Sequence, residues 1–464
     1  MIKKKKMPPD YLQDTIGFRE FVFRRMEERN VDRLWLRAST REVKKIVVIA
    51  AASRSGSSLL FSILRNMPGM YSLSGESVPF YKLNGLSGDA WVSDQIPDGI
   101  RPQRWNLSGL SRDLFSDLSF APVENEKIQD HAVLEDYIDE LALRFSLQWP
   151  TVNFSYDLFR RLAYRAYESY IKCNNLFSVE GFYLELLFSL RSRYSKINPY
   201  YYDISCDRIK KKFPFLEMPS GPANNFLTIE EPPFVLLPLR RRPRREELAN
   251  KTLLLKSSAD CYRLSFLGKV FPKAQIRIIY LTRNPFGSIN GLYDGWLHRG
   301  FFSHNLKGIL KKHHKTLGIS GYSDCYKWGR WWWKYDLPLG WQNYTHKKLE
   351  EVCAFQWYSA NEAVQRYLNK SKKEHCLVRY ESIVDGLVSR VTEIKKIINF
   401  IGLNVRLIKT LNLEKLSIVQ ATEPPKIYRW EKRKSMLMRF LSDPKISKMS
   451  AGLGYRKNNL KEWL

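Results

Sequence analysis

The sequence is poor in cysteine and shows none of the cysteine patterns that organise disulfide-rich or metal-binding proteins. Six cysteines are spread through 464 residues, and no two form a CxxC pair. We therefore expect reduced, unpaired thiols, which are typical of a cytoplasmic protein. No His/Cys cluster has metal-ligand spacing, and the pair His313-His314 lies in a basic run that is typical of an exposed surface. The sequence thus predicts no bound metal.

Long apolar runs are also missing. No uninterrupted hydrophobic stretch approaches the roughly 18–20 residues that a membrane-spanning helix needs. The basic start, MIKKKKMPPDY, is not followed by the apolar region of a signal peptide. Both observations favour a cytoplasmic location, with membrane contact limited to the periphery.

Acidic residues are scarce relative to basic ones. The chain has 76 Lys+Arg and 47 Asp+Glu, for a formal net charge of +29. Such an excess attracts polyanions and anionic membrane surfaces, although solvated basic faces explain it equally well. No nucleic-acid-binding motif is visible, so nucleic acid is not an expected partner. A basic nucleic-acid-binding protein stays open as an alternative class.

The chain divides into a basic leader, residues 1–43, and one large domain, residues 44–464. The leader carries an amphipathic helix over about 11–29, which suits either packing on the domain or an anionic membrane surface. A mostly helical insertion occupies residues 81–250, and insertions of this kind carry substrate specificity. The tryptophans of residues 293–350 suit either sugar stacking or the core.

The first chemical motif is a strand, a tight turn and a helix. The apolar run Ile46–Ala52 predicts a strand buried on both faces. The turn Ser53-Arg54-Ser55-Gly56-Ser57-Ser58 follows, and helical spacing begins directly after it. Free backbone N–H groups, the helix dipole and the Arg54 guanidinium converge there, so the turn predicts a phosphate site. It is not a Walker A loop, because the basic residue precedes the glycine and no lysine follows it.

A second pair of strands carries basic residues at the strand ends. Leu253–Lys256 ends in Lys256-Ser257-Ser258, and Ile276–Leu281 leads into Thr282-Arg283-Asn284-Pro285. Ligands of open α/β sheets bind at the carboxyl ends of the strands. The sequence therefore predicts a second anion-binding loop at the same edge.

Taken together, the motifs RSGSSLL, GE and LLLKSS…YRLSFLGKVFPKAQIRIIYLTRNP resemble those of the sulfotransferases, most closely the carbohydrate and tyrosylprotein branches. The resemblance runs in islands from about residue 44 to 456. It implies an α/β fold, a P-loop-like parallel sheet flanked by helices. It also implies 3′-phosphoadenylyl sulfate (PAPS) as co-substrate, without a metal, and a hydroxyl acceptor on a glycan, glycolipid or similar molecule, bound by the 81–250 insertion.

The resemblance assigns residues to the donor. The first loop would hold the 5′-phosphosulfate, the strand-RNP-helix segment the 3′-phosphate, and a C-terminal loop would close over the nucleotide. The sequence departs from the family where a serine is common eight positions after the arginine, since Gly291 stands there; Ser288 or a backbone N–H would compensate. The cofactor-binding residues predicted in this way are Arg54, Ser55, Gly56, Ser57, Ser58, Arg283, Ser288 and Arg429.

Three residues are predicted to be catalytic. Glu76, in the GE context, is the candidate general base, and His298 is the alternative. Lys256 would stabilise the leaving phosphate, and Arg54 the sulfuryl group. A P-loop kinase-like enzyme that uses ATP is the competing enzymatic reading.

Overall fold

A computed structural model of the chain describes residues 10–29, 39–86, 93–96, 104–122, 128, 130–224, 227–416 and 424–456. The lysine-rich start of the predicted leader lies outside these residues, as do residues 30–38 of the leader and several short stretches of the predicted insertion.

A six-stranded sheet forms the centre of the protein, in the order β3-β2-β4-β1-β5-β8. Every neighbouring pair is parallel except β2 and β3. A separate antiparallel pair joins β6 and β7. The strands are β1 Lys45–Ala51, β2 Met70–Leu73, β3 Leu118–Ser119, β4 Thr252–Lys256, β5 Gln275–Thr282, β6 Phe302–Asn305, β7 Trp332–Lys334 and β8 His375–Arg379.

Helices flank this sheet and build the insertion. They are α1 Asp10–Arg29, α2 Ser57–Leu64, α3 Val78–Leu83, α4 Arg104–Asp117, α5 His131–Gln148, α6 Tyr156–Cys173, α7 Val179–Arg191, α8 Cys206–Lys212, α9 Arg245–Asn250, α10 Leu264–Val270, α11 Pro285–Leu297, α12 Lys307–Lys312, α13 Leu349–Ser371, α14 Tyr380–Val384, α15 Leu387–Ile401, α16 Lys434–Met438 and α17 Pro444–Gly452.

The central strands β1, β4 and β5 are mostly apolar because both faces of the sheet are covered. Ile46 and Val48 of β1 pack into one hydrophobic cluster, and Val47 and Ile49 pack into another on the opposite face. This is the pattern of a parallel strand buried on both sides. The predicted α/β class, with a mostly parallel sheet flanked by helices, is confirmed.

The helical insertion has a hydrophobic cluster of its own, built largely from aromatic side chains of α5, α6 and α7. Helix α1 joins this cluster through Val22, Phe23 and Met26, which are all buried. The Arg19 guanidinium fixes α1 further by donating to the Leu143 carbonyl at 2.7 Å. Protein packing therefore covers most of the apolar face of α1, and Phe21 remains 44% exposed.

The tryptophan-rich segment belongs mostly to the core. Trp333 and Trp341 are fully buried and Trp332 nearly so, whereas Trp328 and Trp331 are half-buried. The sequence did not predict the β6–β7 pair that positions these rings. The packing interpretation holds for the three buried tryptophans. Within the described ranges, no helix is both long enough and apolar enough to cross a membrane.

Candidate active site

The turn after β1 has two residues in left-handed backbone conformation, and at one of them only glycine fits. Arg54 and Gly56 both have positive φ, 65° and 91°. A Cβ on Gly56 would lie 2.3 Å from Cδ2 of Tyr380, so a larger residue clashes as well as straining the backbone. Gly56 precedes the first residue of α2, whose first-turn N–H groups have no acceptor within the helix. The turn therefore has a geometry that favours an anion at a helix N-terminus.

A second arginine lies beside this turn because β1 and β5 are adjacent parallel strands that end together, with Ala51 opposite Leu281. The buried Arg283 guanidinium donates through Nη1 to the Arg54 carbonyl at 3.0 Å. It also stacks over the Tyr380 ring at 4.2 Å. Its Nε is buried and finds no hydrogen-bond acceptor in the described part of the chain. Burial lowers the pKa of Arg283, against the opposing fields of Tyr380 and Glu381.

The two loops also touch through small and polar residues. Arg54 Nε donates to the Gly291 carbonyl at 3.3 Å, and the hydroxyls of Ser55 and Ser288 lie 3.2 Å apart. A Cβ on Gly291 would approach Cβ of Arg54 to 3.2 Å. The glycine that departs from the sulfotransferase pattern therefore allows the close packing of Arg54. Ser288 is fully buried and joins the loops through Ser55.

Glu76 and Lys256 form an ion pair at the same edge of the sheet. Strand β2 ends three residues before Glu76, and Lys256 is the last residue of the neighbouring strand β4. Lys256 Nζ donates to Glu76 Oε1 at 2.6 Å. Glu76 Oε2 accepts from the Ser257 hydroxyl at 3.2 Å, and from the Ser258 backbone N–H and hydroxyl at 3.2 and 3.3 Å.

These contacts keep Glu76 ionised. Burial by itself raises the pKa of the carboxyl, but the Lys256 charge and the hydrogen bonds outweigh it, so the pKa lies below its ordinary value. The side chain of Glu76 is still 27% exposed, whereas that of Lys256 is 7% exposed. The carboxylate therefore keeps an open side on which a second ligand can bind.

Most of these groups line one open cleft. Of the site residues predicted from sequence, Ser55 and Ser288 do not line the cleft and lie beneath the loops. The other eight line it: Arg54, Gly56, Ser57, Ser58, Glu76, Lys256, Arg283 and Arg429.

Arg429 reaches the cleft from the C-terminal part of the chain. Its guanidinium lies 3.4 Å from Asp294 Oδ2, and the same carboxylate pairs with Lys432 at 3.0 Å and Arg433 at 2.7 Å. Asp294 belongs to α11, the helix that follows the Arg283 loop. The C-terminal segment is thereby attached over the side of the cleft where Arg283 lies.

His298, the alternative base, lies outside the set of cleft-lining residues. Its Nδ1 accepts from the Gly300 backbone N–H at 3.1 Å. Burial and the charges of Lys334, Arg299 and Arg54 lower its pKa to about 4, so the imidazole is neutral at pH 7. A neutral imidazole can accept a proton, but the His298 side chain does not line the cleft.

The Arg54 guanidinium lies 5.2 Å from the centroid of the Phe301 ring, which belongs to a further wall of the cleft. The sequence predicted this wall only in part, through the 81–250 insertion. It consists of the segment Ile229–Pro233 together with Phe301 and Tyr335. Its Glu231 is partly buried near Lys82 and Glu76; burial raises the pKa of this carboxyl, against the opposing charge of Lys82. The unusual Glu-Glu-Pro-Pro run is the sequence feature that could have indicated this wall.

Among the described residues, no group of three or more His, Cys, Asp or Glu side chains is placed to hold a metal ion. Comparisons of the chain with protein-family models, with curated proteins and with solved structures found no match.

Proposed function

We propose that the protein is a PAPS-dependent sulfotransferase with a P-loop-like donor site. The observation that carries the proposal is the meeting of two anion-binding loops and a Glu–Lys pair in a single cleft. PAPS has two separated phosphate groups and a reactive sulfuryl group. The cleft offers a complementary feature for each of them.

The donor phosphates would occupy the two loops. The N–H groups at the start of α2, with Arg54, suit the 5′-phosphosulfate, since a helix N-terminus favours negative charge. Arg283 suits the 3′-phosphate, because its buried Nε still lacks an acceptor within the described residues and a guanidinium binds phosphate in a bidentate manner. An anion there would also offset the cost of burying the guanidinium.

The transfer requires one proton acceptor and one group at the leaving oxygen. Glu76 takes the proton of the acceptor hydroxyl as that oxygen forms its bond to sulfur. The bond between sulfur and the bridging phosphate oxygen breaks, and the electron pair leaves with the 5′-phosphate of PAP (3′-phosphoadenosine 5′-phosphate). In-line transfer of this kind depends on positioning and on charge stabilisation, as phosphoryl transfer does.

Lys256 would take part both in proton transfer to Glu76 and in departure of the 5′-phosphate. In the structure described here its ammonium neutralises Glu76. When the donor binds, the same ammonium can turn to the bridging oxygen and stabilise the leaving phosphate. Glu76 then loses its cationic partner, which raises its basicity when the acceptor hydroxyl must be deprotonated.

The acceptor would lie against the wall formed by Ile229–Pro233, Phe301 and Tyr335. Its apolar and aromatic faces suit a sugar ring or another hydroxyl-bearing group with an apolar face. Three carboxylates line the cleft. Glu230 pairs with Arg144 at 2.6 Å, whereas Glu76 and Glu231 suit hydrogen bonding to hydroxyls and disfavour an anionic acceptor.

Calorimetric titration with PAP in the presence of EDTA tests the donor site directly. We expect binding that is stronger for PAP than for AMP, which lacks the 3′-phosphate. Transfer of labelled sulfate from PAPS to a panel of hydroxyl acceptors tests the reaction. No binding of PAP, together with binding of Mg-ATP, would favour the kinase interpretation and end this proposal.

A further inference from the structure

Two phenylalanines of the helical insertion project into solvent. Phe215 is 98% exposed and Phe188 is 56% exposed, although phenylalanine is among the most frequently buried residue types. The buried Phe213 connects them: its ring centroid lies 6.1 Å from that of Phe188, and it begins the turn that carries Phe215. The two exposed rings therefore belong to one surface.

Three consecutive lysines precede Phe213 and Phe215 in the chain. Helix α8 ends in Lys210-Lys211-Lys212, of which Lys210 and Lys211 are exposed. The Lys212 ammonium lies 4.9 Å from the centroid of the Phe188 ring. Residues 188–220 contain seven Lys or Arg and three Asp or Glu. The neighbouring Glu180 and Glu185 pair with Arg208 and Lys212, so a smaller positive excess remains on this part of the surface. We call Phe188, Lys210, Lys211 and Phe215 the aromatic-basic surface.

The aromatic-basic surface adjoins the cleft. Met218, three residues after Phe215 and 43% exposed, accepts a hydrogen bond from Arg299. Phe301, two residues after Arg299, lines the cleft, and its backbone N–H donates to the Pro232 carbonyl at 2.7 Å. This surface therefore lies near the cleft wall formed by Ile229–Pro233, Phe301 and Tyr335.

We propose that the aromatic-basic surface docks on an anionic phospholipid bilayer. The phenylalanine rings would enter the interface, and the lysines would pair with headgroup phosphates. An exposed apolar surface can bind another protein or a membrane, and the charge of this surface favours the membrane. Protein–protein interfaces are depleted in lysine, whereas membrane-surface segments combine lysine with phenylalanine. Helix α1 is a weaker candidate, because Val22, Phe23 and Met26 pack in the insertion and Phe21 alone of its large apolar side chains is 44% exposed.

Co-sedimentation of the full chain with vesicles tests this docking. We expect binding to vesicles of phosphatidylcholine mixed with phosphatidylserine, weakened by salt, and little binding to phosphatidylcholine alone. The double variant Phe188→Ser/Phe215→Ser should lower the partition coefficient by about tenfold or more. Lys210→Gln/Lys211→Gln should lower it by about fivefold per lysine.

Matched controls separate docking from general loss of charge or apolar surface. Val388→Ser removes another apolar side chain, 82% exposed, on α15. Lys311→Gln/Lys312→Gln removes an exposed basic pair on α12. Both should bind vesicles like the unmodified protein, and circular dichroism should show all variants folded.

Two results would overturn the proposal. One is equal vesicle binding by the surface variants and the controls. The other is self-association in the absence of lipid, detected by sedimentation velocity and lost in Phe188→Ser/Phe215→Ser, which would identify the surface as an interface between copies. The assay uses neither PAPS nor an acceptor, so its failure leaves the sulfotransferase proposal untouched.

Discussion

Replacing Glu76 by glutamine should stop proton transfer while leaving the donor site intact. If Glu76 is the general base, turnover should fall by about 10²–10⁴-fold. PAP affinity should stay the same or rise, because a negative charge beside an anionic ligand is removed. The amide is close in shape to the carboxylate, so the cleft should keep its form.

The structure indicates how much of this loss could come from structural disturbance. The carboxylate accepts from Lys256, from the Ser257 and Ser258 hydroxyls and from the Ser258 N–H. With the amide oxygen facing Lys256, the amide NH₂ meets hydroxyls that can rotate to accept, but the Ser258 N–H loses its partner. That loss costs about 1–3 kcal/mol of stability. The expected rate loss corresponds to about 2.7–5.5 kcal/mol of activation free energy, and is measured on folded protein.

Single-turnover transfer from labelled PAPS measures the rate of the chemical step. Calorimetry with PAP measures the donor affinity. Glu231→Gln is the matched control, because it neutralises another carboxylate of the same cleft. It should change the KM for the acceptor and leave turnover within about tenfold. His298→Gln should likewise retain turnover. Near-normal turnover of Glu76→Gln, or a larger loss in His298→Gln, would refute the reasoning.

Three further predictions concern the loops and the buried acid beneath them. Arg283→Ala should weaken PAP binding by about 10–150-fold and reduce its preference over AMP; Arg277→Ala, at the other end of β5, should not, and calorimetry would show both. Gly56→Ala should lower the free energy of unfolding by more than about 1–2 kcal/mol, because left-handed backbone and the Tyr380 clash add; unchanged urea unfolding would contradict it. Burial raises the pKa of Asp336 to about 6, despite hydrogen bonds from Tyr262 and Ser53. Its contribution to stability is therefore full below about pH 4 and is lost as pH rises through 6, so Asp336→Asn should remove up to about 3 kcal/mol of this pH dependence. Parallel stability curves between pH 4 and 8 would show that Asp336 does not titrate in this way.

The strands that hold the site could be predicted because their signal is local. Runs of mostly apolar residues predicted β1, β4 and β5 to within one or two residues, since a strand buried on both faces carries few polar side chains. Strand β2, at Met70–Leu73, was missed: it is short, and its MYSL sequence has no strong apolar run. The β6–β7 pair was missed because its tryptophans fit several structures equally well.

The sequence by itself determined the α/β class, the two basic loops and the candidates for the base and the lysine. These features could be predicted because each depends on residue types and their spacing along the chain. It could not determine that Glu76 contacts Lys256, 180 residues away, because that contact exists only where β2 lies beside β4 in the folded sheet.

Only the tertiary structure decided which predicted residues face the cleft. Ser55 and Ser288 have the same chemistry as Ser57 and Ser58, yet they lie beneath the loops. The structure also brought in Tyr380, Phe301 and Glu231 from distant segments. Local preferences are set by neighbours in the chain, whereas a binding site is set by which strand ends and loops come together in the folded sheet. The sheet order is decided by the packing of the whole core.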